Sequence, residues 1–217
     1  MKRLRAVLLV TAAAAIGSWA QLAIKAGLIQ YADDDLQLNG QLVTDTKLLA
    51  GTRVAAGQQL RTMNGRAELV LQPRNYLRLA PNTSVRMISD QLASVKAEIT
   101  GVVMLDTGSD GGVELTCGQS MVTIATRGMY RLNCGAVQQL RVYRGRAEVL
   151  SGAAHRRLGG REAITLGPAG QTSKLDRKDF DESKLKPHRK MPDTDFGNRT
   201  ITDSNDIGRI LYGPWQL

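Results

Sequence analysis

The chain has 217 residues, a formal net charge of +9, 42% hydrophobic and 4% aromatic residues, two cysteines and two histidines. That length suits one domain of ordinary size, or two only if both are small. Two cysteines and two histidines do not make a zinc cage, which normally needs four suitably spaced ligands, and nine aromatics offer little material for a sugar-stacking cleft.

The first twenty residues stand apart. Lys2, Arg3 and Arg5 precede the apolar run Ala6 to Ala15, and Ser18-Trp19-Ala20 places small residues where signal peptidase needs them. This is a secretory leader, with cleavage expected after Ala20. The competing reading is an uncleaved anchor, since Leu22, Ile24 and Leu28 extend the apolar character. Gln21 and Lys25 interrupt it, and the clean stretch is shorter than the roughly 20 residues a membrane-spanning helix requires. Membrane association is expected only if the segment stays in place. No cysteine follows the run to carry a lipid.

Export changes the meaning of the charge. The leader holds three cations and no acid, so nine less three leaves +6 for the mature chain. Outside the inner membrane, the partners for such an excess are acidic proteins, lipid headgroups and envelope polymers, not nucleic acid. The arginines are dispersed, as at Arg61, Arg66, Arg74, Arg78 and Arg86, a spacing that predicts a solvated strand face.

After Asp33-Asp34-Asp35 come short segments with apolar residues mostly at every second position: QQLRTM, RAELVL, YLRLA, SVRMIS, SVKAEI and GVVMLD. Period two means one face inward and one face wet. Breakers at Asn64-Gly65, Pro73-Arg74-Asn75, Pro81-Asn82, 108–112 and Gly118 punctuate them, and the pattern resumes with SMVTIAT, MYRLN, QLRVYR and RAEVL before closing near REAITL. Residues 36–168 are therefore expected to form one all-β domain of many short antiparallel strands, as a sandwich, a jelly roll or a solenoid. Residues 169–217 are charged, polar and without hydrophobic period, which predicts a flexible tail. Its last stretch, ILYGPWQL, is apolar enough to dock on the sheet or on a partner.

In an exported chain an even cysteine count invites a disulfide, here Cys117 to Cys134. The alternative is two buried free thiols. Among catalytic motifs the sharpest is VVMLDTGSDGG, where Asp106-Thr107-Gly108 follows a hydrophobic strand as in an aspartic protease. That chemistry needs two aspartates sharing a proton, so a single copy requires a homodimer. An Asp-Gly turn at a strand end explains the same string. No Gly-x-Ser-x-Gly elbow is present. The expectation is a protein that is not an enzyme, with no cofactor and no metal.

The string LLAGTRVAAGQQLRTMNGRAELVLQPRNYLRLAPNTSVRM resembles the FecR-type periplasmic domain. The match lies in Gly57 before Leu60 and Thr62, Gly65-x-Ala67-x-Leu69-x-Leu71, Leu77-x-Leu79 and Ser84-Val85. It continues in Gly101-Val102-Val103, Thr126-x-Gly128-x-Tyr130 and Gly145-x-Ala147-x-Val149, and covers about residues 40 to 166. Gln58 stands where the family commonly has an acid, Pro73-Arg74-Asn75 replaces its usual Asp-Gly turn, and the two cysteines are not part of the general pattern. Only five residues precede the apolar run, so the cytoplasmic anti-sigma segment of FecR regulators is not expected there. The resemblance implies an exported β domain that binds an envelope protein, in signal relay. An anionic envelope polymer is the second candidate.

Gly-Arg-Ala-Glu-hydrophobic occurs twice, from Gly65 and from Gly145. Read as two equivalent hairpins, the first copy turns Ala67, Leu69 and Leu71 inward and Arg66, Glu68 and Val70 outward. The second turns Ala147 and Val149 inward and Arg146 and Glu148 outward. Arg and Glu two apart on a strand share a face, so each copy predicts a solvated pair.

Overall fold

The computed structural model describes residues 25–49, 51–108 and 111–175. The expected leader 1–20 and, of the expected tail 169–217, residues 176–217 lie outside the described residues. Strands begin with β1 (Leu28–Asp33), β2 (Leu36–Leu38) and β3 (Gln41–Val43), and a single 3₁₀ turn at Thr46–Leu49 leads on to β4 (Gln59–Thr62). There follow β5 (Arg66–Gln72), β6 (Asn75–Leu79), β7 (Ser84–Gln91), β8 (Ser94–Thr100) and β9 (Val102–Thr107). The second half holds β10 (Val113–Cys117), β11 (Ser120–Ile124), β12 (Gly128–Cys134), β13 (Gln138–Arg144), β14 (Ala147–Ser151), β15 (Ala154–Leu158), β16 (Glu162–Thr165) and β17 (Thr172–Lys174). The strands thus run from Leu28 to Lys174, a wider span than residues 36–168. No helix among the described residues is long and apolar enough to cross a membrane.

The expected all-β class is what the chain adopts, as a two-sheet sandwich. One sheet has eight strands in the order β1-β5-β6-β9-β12-β13-β16-β17, the other nine in the order β15-β14-β11-β10-β8-β7-β4-β2-β3. Every pairing is antiparallel except β8 with β10. The chain moves between the sheets after one to three strands, so successive segments of sequence alternate sides of the core.

Glycines mark several of these passages. At Gly101 (φ +93°), which leads from β8 into β9, an added Cβ would sit 2.6 Å from Thr83 Oγ1. At Gly65, between β4 and β5, it would sit 1.9 Å from the Asp33 carbonyl oxygen. At the first position an L side chain is strained by its own backbone; at the second it is excluded by a neighbour.

The core lies between the sheets. Across the eight-stranded sheet, register aligns Ala67, Leu79, Val103, Leu132, Leu140 and Ile164 in one inward row, all of them in the buried cluster. Leu36, Leu60, Val85, Val95, Leu115, Val122 and Val149 answer from the nine-stranded sheet. A disulfide joins Cys117 of β10 to Cys134 of β12, with Cα atoms 5.4 Å apart, and so ties one sheet to the other. The predicted pairing is present and no free cysteine remains. A bridge of this kind is compatible with an exported protein.

Candidate functional site

The outer faces of the two sheets differ. On the nine-stranded sheet, Arg61, Arg86, Glu98, Glu148, His155 and Arg157 are exposed, as strict alternation predicts. Arg86 pairs with Glu98 at 2.9 Å and Arg157 with Glu148 at 3.0 Å, both in water. The second Gly-Arg-Ala-Glu copy lies here, and its glutamate is the solvated residue expected.

The first copy behaves otherwise. Ala67, Leu69 and Leu71 face the core as expected, but Glu68 is 0% and Arg78 2% exposed, and Val70 is also buried. This corrects the expectation that Glu68, Val70 and Arg78 face solvent. Both faces of β5 and β6 are covered, and their sequences carry the reason: Val70 and Tyr76 fill outward positions that a half-wet strand gives to polar residues.

Glu68 and Arg78 stand directly opposite each other across the β5–β6 ladder, and Arg78 Nε donates to Glu68 Oε2 at 2.7 Å. Arg78 Nη1 reaches Asp106 Oδ2 on β9 at 3.5 Å, and the guanidinium lies 5.9 Å from the Tyr76 ring centre. Burial by itself pulls the Arg78 pKa down. The two carboxylates outweigh it and hold the value above the usual one, so the cation stays charged. A buried charge of this kind persists only when paired.

Asp106, the one residue with a catalytic alternative, is therefore engaged with a cation on the neighbouring strand. It sits within β9, opposite Tyr76 and Met129. Thr107 beside it donates to the Thr126 carbonyl at 2.9 Å. No group of three or more His, Cys, Asp or Glu among the described residues could hold a metal ion.

Further along the same face, Arg131 of β12 lies directly opposite Arg141 of β13, and Asn133 opposite Gln139. These four side chains line a shallow polar hollow of about 90 Å³. Arg141 Nε donates to Gln139 Oε1 at 2.7 Å. Like charges directly across a ladder repel, and an acceptor-rich group such as a carboxylate relieves that repulsion by taking hydrogen bonds from both guanidiniums. Neither arginine stands out in the sequence as a binding residue, because each alternates with apolar neighbours as a solvated residue does.

The residues matched to the FecR pattern fall at corners and in the core. Gly57 (φ +84°) turns into β4, and Ser84 opens β7 with its Oγ 3.3 Å from Gln59 Nε2. Thr62 is fully buried, donating to the Ala80 carbonyl at 2.6 Å and accepting the Thr83 N–H at 3.0 Å. Leu79 and Ala147 are core. Tyr130 reaches the opposite corner, where its hydroxyl donates to the Thr126 carbonyl at 3.0 Å and accepts the Arg146 N–H at 3.2 Å. An added Cβ at Gly128 would lie 2.5 Å from that hydroxyl, and at Gly145 (φ +97°) 2.0 Å. Two glycines thus make room for one tyrosine. Burial pushes the Tyr130 pKa up, against the hydrogen bonds with Thr126 and Arg146.

Fold and site together define an all-β sandwich domain with one solvated outer face and one whose charged residues are buried over β5 and β6 and partly exposed over β12 and β13. No protein-family model matches the chain, and no curated protein matches it. Two crystal structures of a "putative anti-sigma factor" from Parabacteroides distasonis ATCC 8503 are similar to it, at 14% identity and TM-scores of 0.48 and 0.47. They cover 56% and 59% of this chain. The chain in turn spans 61% and 63% of theirs, about three fifths of their length.

Proposed function

We propose that this chain is an exported, non-enzymatic β domain of the FecR type that binds an envelope protein through a sheet edge, in signal relay. The observation that carries the reading is the state of the edges of the nine-stranded sheet. No described strand pairs with the outer side of β3 or β15. Leu42 on β3 is 58% exposed, and His155, Arg156 and Arg157 of β15 are all exposed. An edge with free backbone donors and acceptors takes a partner strand by ladder extension.

Periplasmic export is supported by the leader layout and by the bridge between the two cysteines. The FecR assignment rests on the ordered glycine, threonine and tyrosine pattern, each member of which has a structural task at a corner or in the core. An anionic envelope polymer is favoured as the alternative partner by the exposed cations of β15; its binding weakens with salt, because such contacts are screened.

A photo-crosslinking residue at Leu42 in intact cells tests the proposal. One specific envelope protein, captured at Leu42 and lost from a control position on the solvated face such as Glu98, is the result expected. Failure to capture any protein, together with a hydrolytic activity that disappears in Asp106→Asn, overturns it in favour of a dimeric aspartic protease.

A further inference from the structure

The outer face of the eight-stranded sheet presents a physical puzzle. Register places Glu68, Arg78, Met104, Arg131, Arg141 and Ala163 in one outward row, with Val70, Tyr76 and Met129 beside it. Met104 is 1% exposed, and Val70, Tyr76, Met129, Tyr143 and Ala163 are buried, yet none of them belongs to the core cluster between the sheets. The described strands form two layers only, so none of them covers this side. Tyr31, Arg66, Glu68, Tyr76, Arg131 and Tyr143 each have at least one further hydrogen-bond, ionic or ring partner.

We propose that this face is the docking surface for the chain's own C-terminal segment, residues 191–217. Three observations select that occupant. First, the segment follows β17, the edge strand of this same sheet. Eight strands at about 4.8 Å spacing measure roughly 34 Å across, whereas some 40 residues at about 3.3 Å each reach well over 100 Å.

Second, the chemistry is complementary. Asp193, Asp195, Asp203 and Asp206 outnumber Arg199 and Arg209 in the segment, and Ile210, Leu211, Tyr212, Pro214, Trp215 and Leu217 are apolar or aromatic. The face offers the opposed Arg131 and Arg141 in a polar hollow next to an apolar patch. Carboxylates relieve the arginine repulsion while the apolar residues cover Val70, Met104 and Met129.

Third, the other end of the chain fits poorly. Residues 1–24 carry Lys2, Arg3 and Arg5 and no acid, which sets like charge against the arginines. Lys25 also bridges to Gln91 of β7 in the opposite sheet and pairs with Asp90 at 3.6 Å. The chain therefore reaches β1 from the side of the nine-stranded sheet. The proposal concerns a face, not an edge, and does not depend on the partner proposed above.

The test uses the full chain with two readouts. Trp19 and Trp215 are the only tryptophans, so Trp19→Phe leaves Trp215 as the sole reporter. Expected is a blue-shifted Trp215 emission protected from acrylamide, with both properties lost when the four aspartates become asparagine. Trp215 as accessible to quencher as free tryptophan overturns the proposal.

The second readout places a benzophenone amino acid at Tyr76, a conservative aromatic exchange, and maps its photoproduct by mass spectrometry. Crosslinks within one chain to residues 191–217 support the proposal. Crosslinks to residues 1–24, to a second copy or to another protein, or none at all, overturn it.

Discussion

Glu68 and Arg78 face each other across adjacent strands at 2.7 Å, with almost no solvent exposure on either. Removing Arg78 takes the cation away from Glu68, which is 0% exposed, and from Asp106 on the next strand. Arg78→Met is therefore expected to destabilise the fold by about 3–5 kcal/mol. Exchanging both residues for methionine should cost far less, since apolar replacements of a buried pair are often neutral. Urea unfolding of the two single variants and the double variant checks this. Additive losses would mean that the pair is not coupled.

Gly145 and Tyr130 form a second linked pair. Gly145→Ala meets a left-handed backbone (φ +97°) and a hydroxyl 2.0 Å from the new Cβ. The backbone term alone costs about 1–2 kcal/mol. Tyr130→Phe in the same chain removes the nearest obstructing atom and should recover part of the remaining loss, but not the backbone term or the contacts with the Arg127 carbonyl oxygen at 2.7 Å and the ring Cζ at 2.8 Å. Thermal unfolding midpoints of the four corners of the cycle measure the recovery.

Tyr130 also gives the fold an alkaline limit. Its folded pKa lies above the unfolded value because burial disfavours the phenolate. Below pH about 10, the unfolded tyrosine value, both states are protonated and the contribution is fully present. As pH rises further the unfolded state loses its proton first, and stability falls until the folded phenol titrates. Tyr130→Phe is expected to flatten this part of the stability curve above pH 10 while lowering stability at neutral pH by about 1 kcal/mol for the lost hydrogen bonds. Denaturant titrations at neutral and alkaline pH, on wild type and variant, test it.

The bridge between Cys117 and Cys134 closes a loop with a sequence separation of 17. Replacing both cysteines with serine should cost about 3 kcal/mol, the chain-entropy value for a loop of this size. Thiol labelling of the unfolded, non-reduced protein should modify neither cysteine, and labelling of both would show that the bridge is absent.

The sequence by itself settled the all-β class, the disulfide partners and the inward residues of the two Gly-Arg-Ala-Glu strands. All three depend on local period, spacing or composition, which a single strand or a single pair of residues carries. What it could not reveal was that the two copies differ in the fate of their glutamates. Glu148 lies on a strand of the nine-stranded sheet beside exposed Arg157 and remains in water; Glu68 lies on a strand of the eight-stranded sheet with both faces covered.

A hint was present in the apolar residues at outward positions, Val70, Tyr76, Met104 and Met129, which break strict alternation. Its meaning required the register that aligns five strands separated by up to 73 residues, from Glu68 on β5 to Arg141 on β13, and brings Arg78 beside Glu68 and Asp106. Alternation says which residues share a face of one strand. Which sheet that strand joins, and whether anything covers its outer face, is decided by non-local pairing, and it is this pairing that turned a surface pair into a buried one.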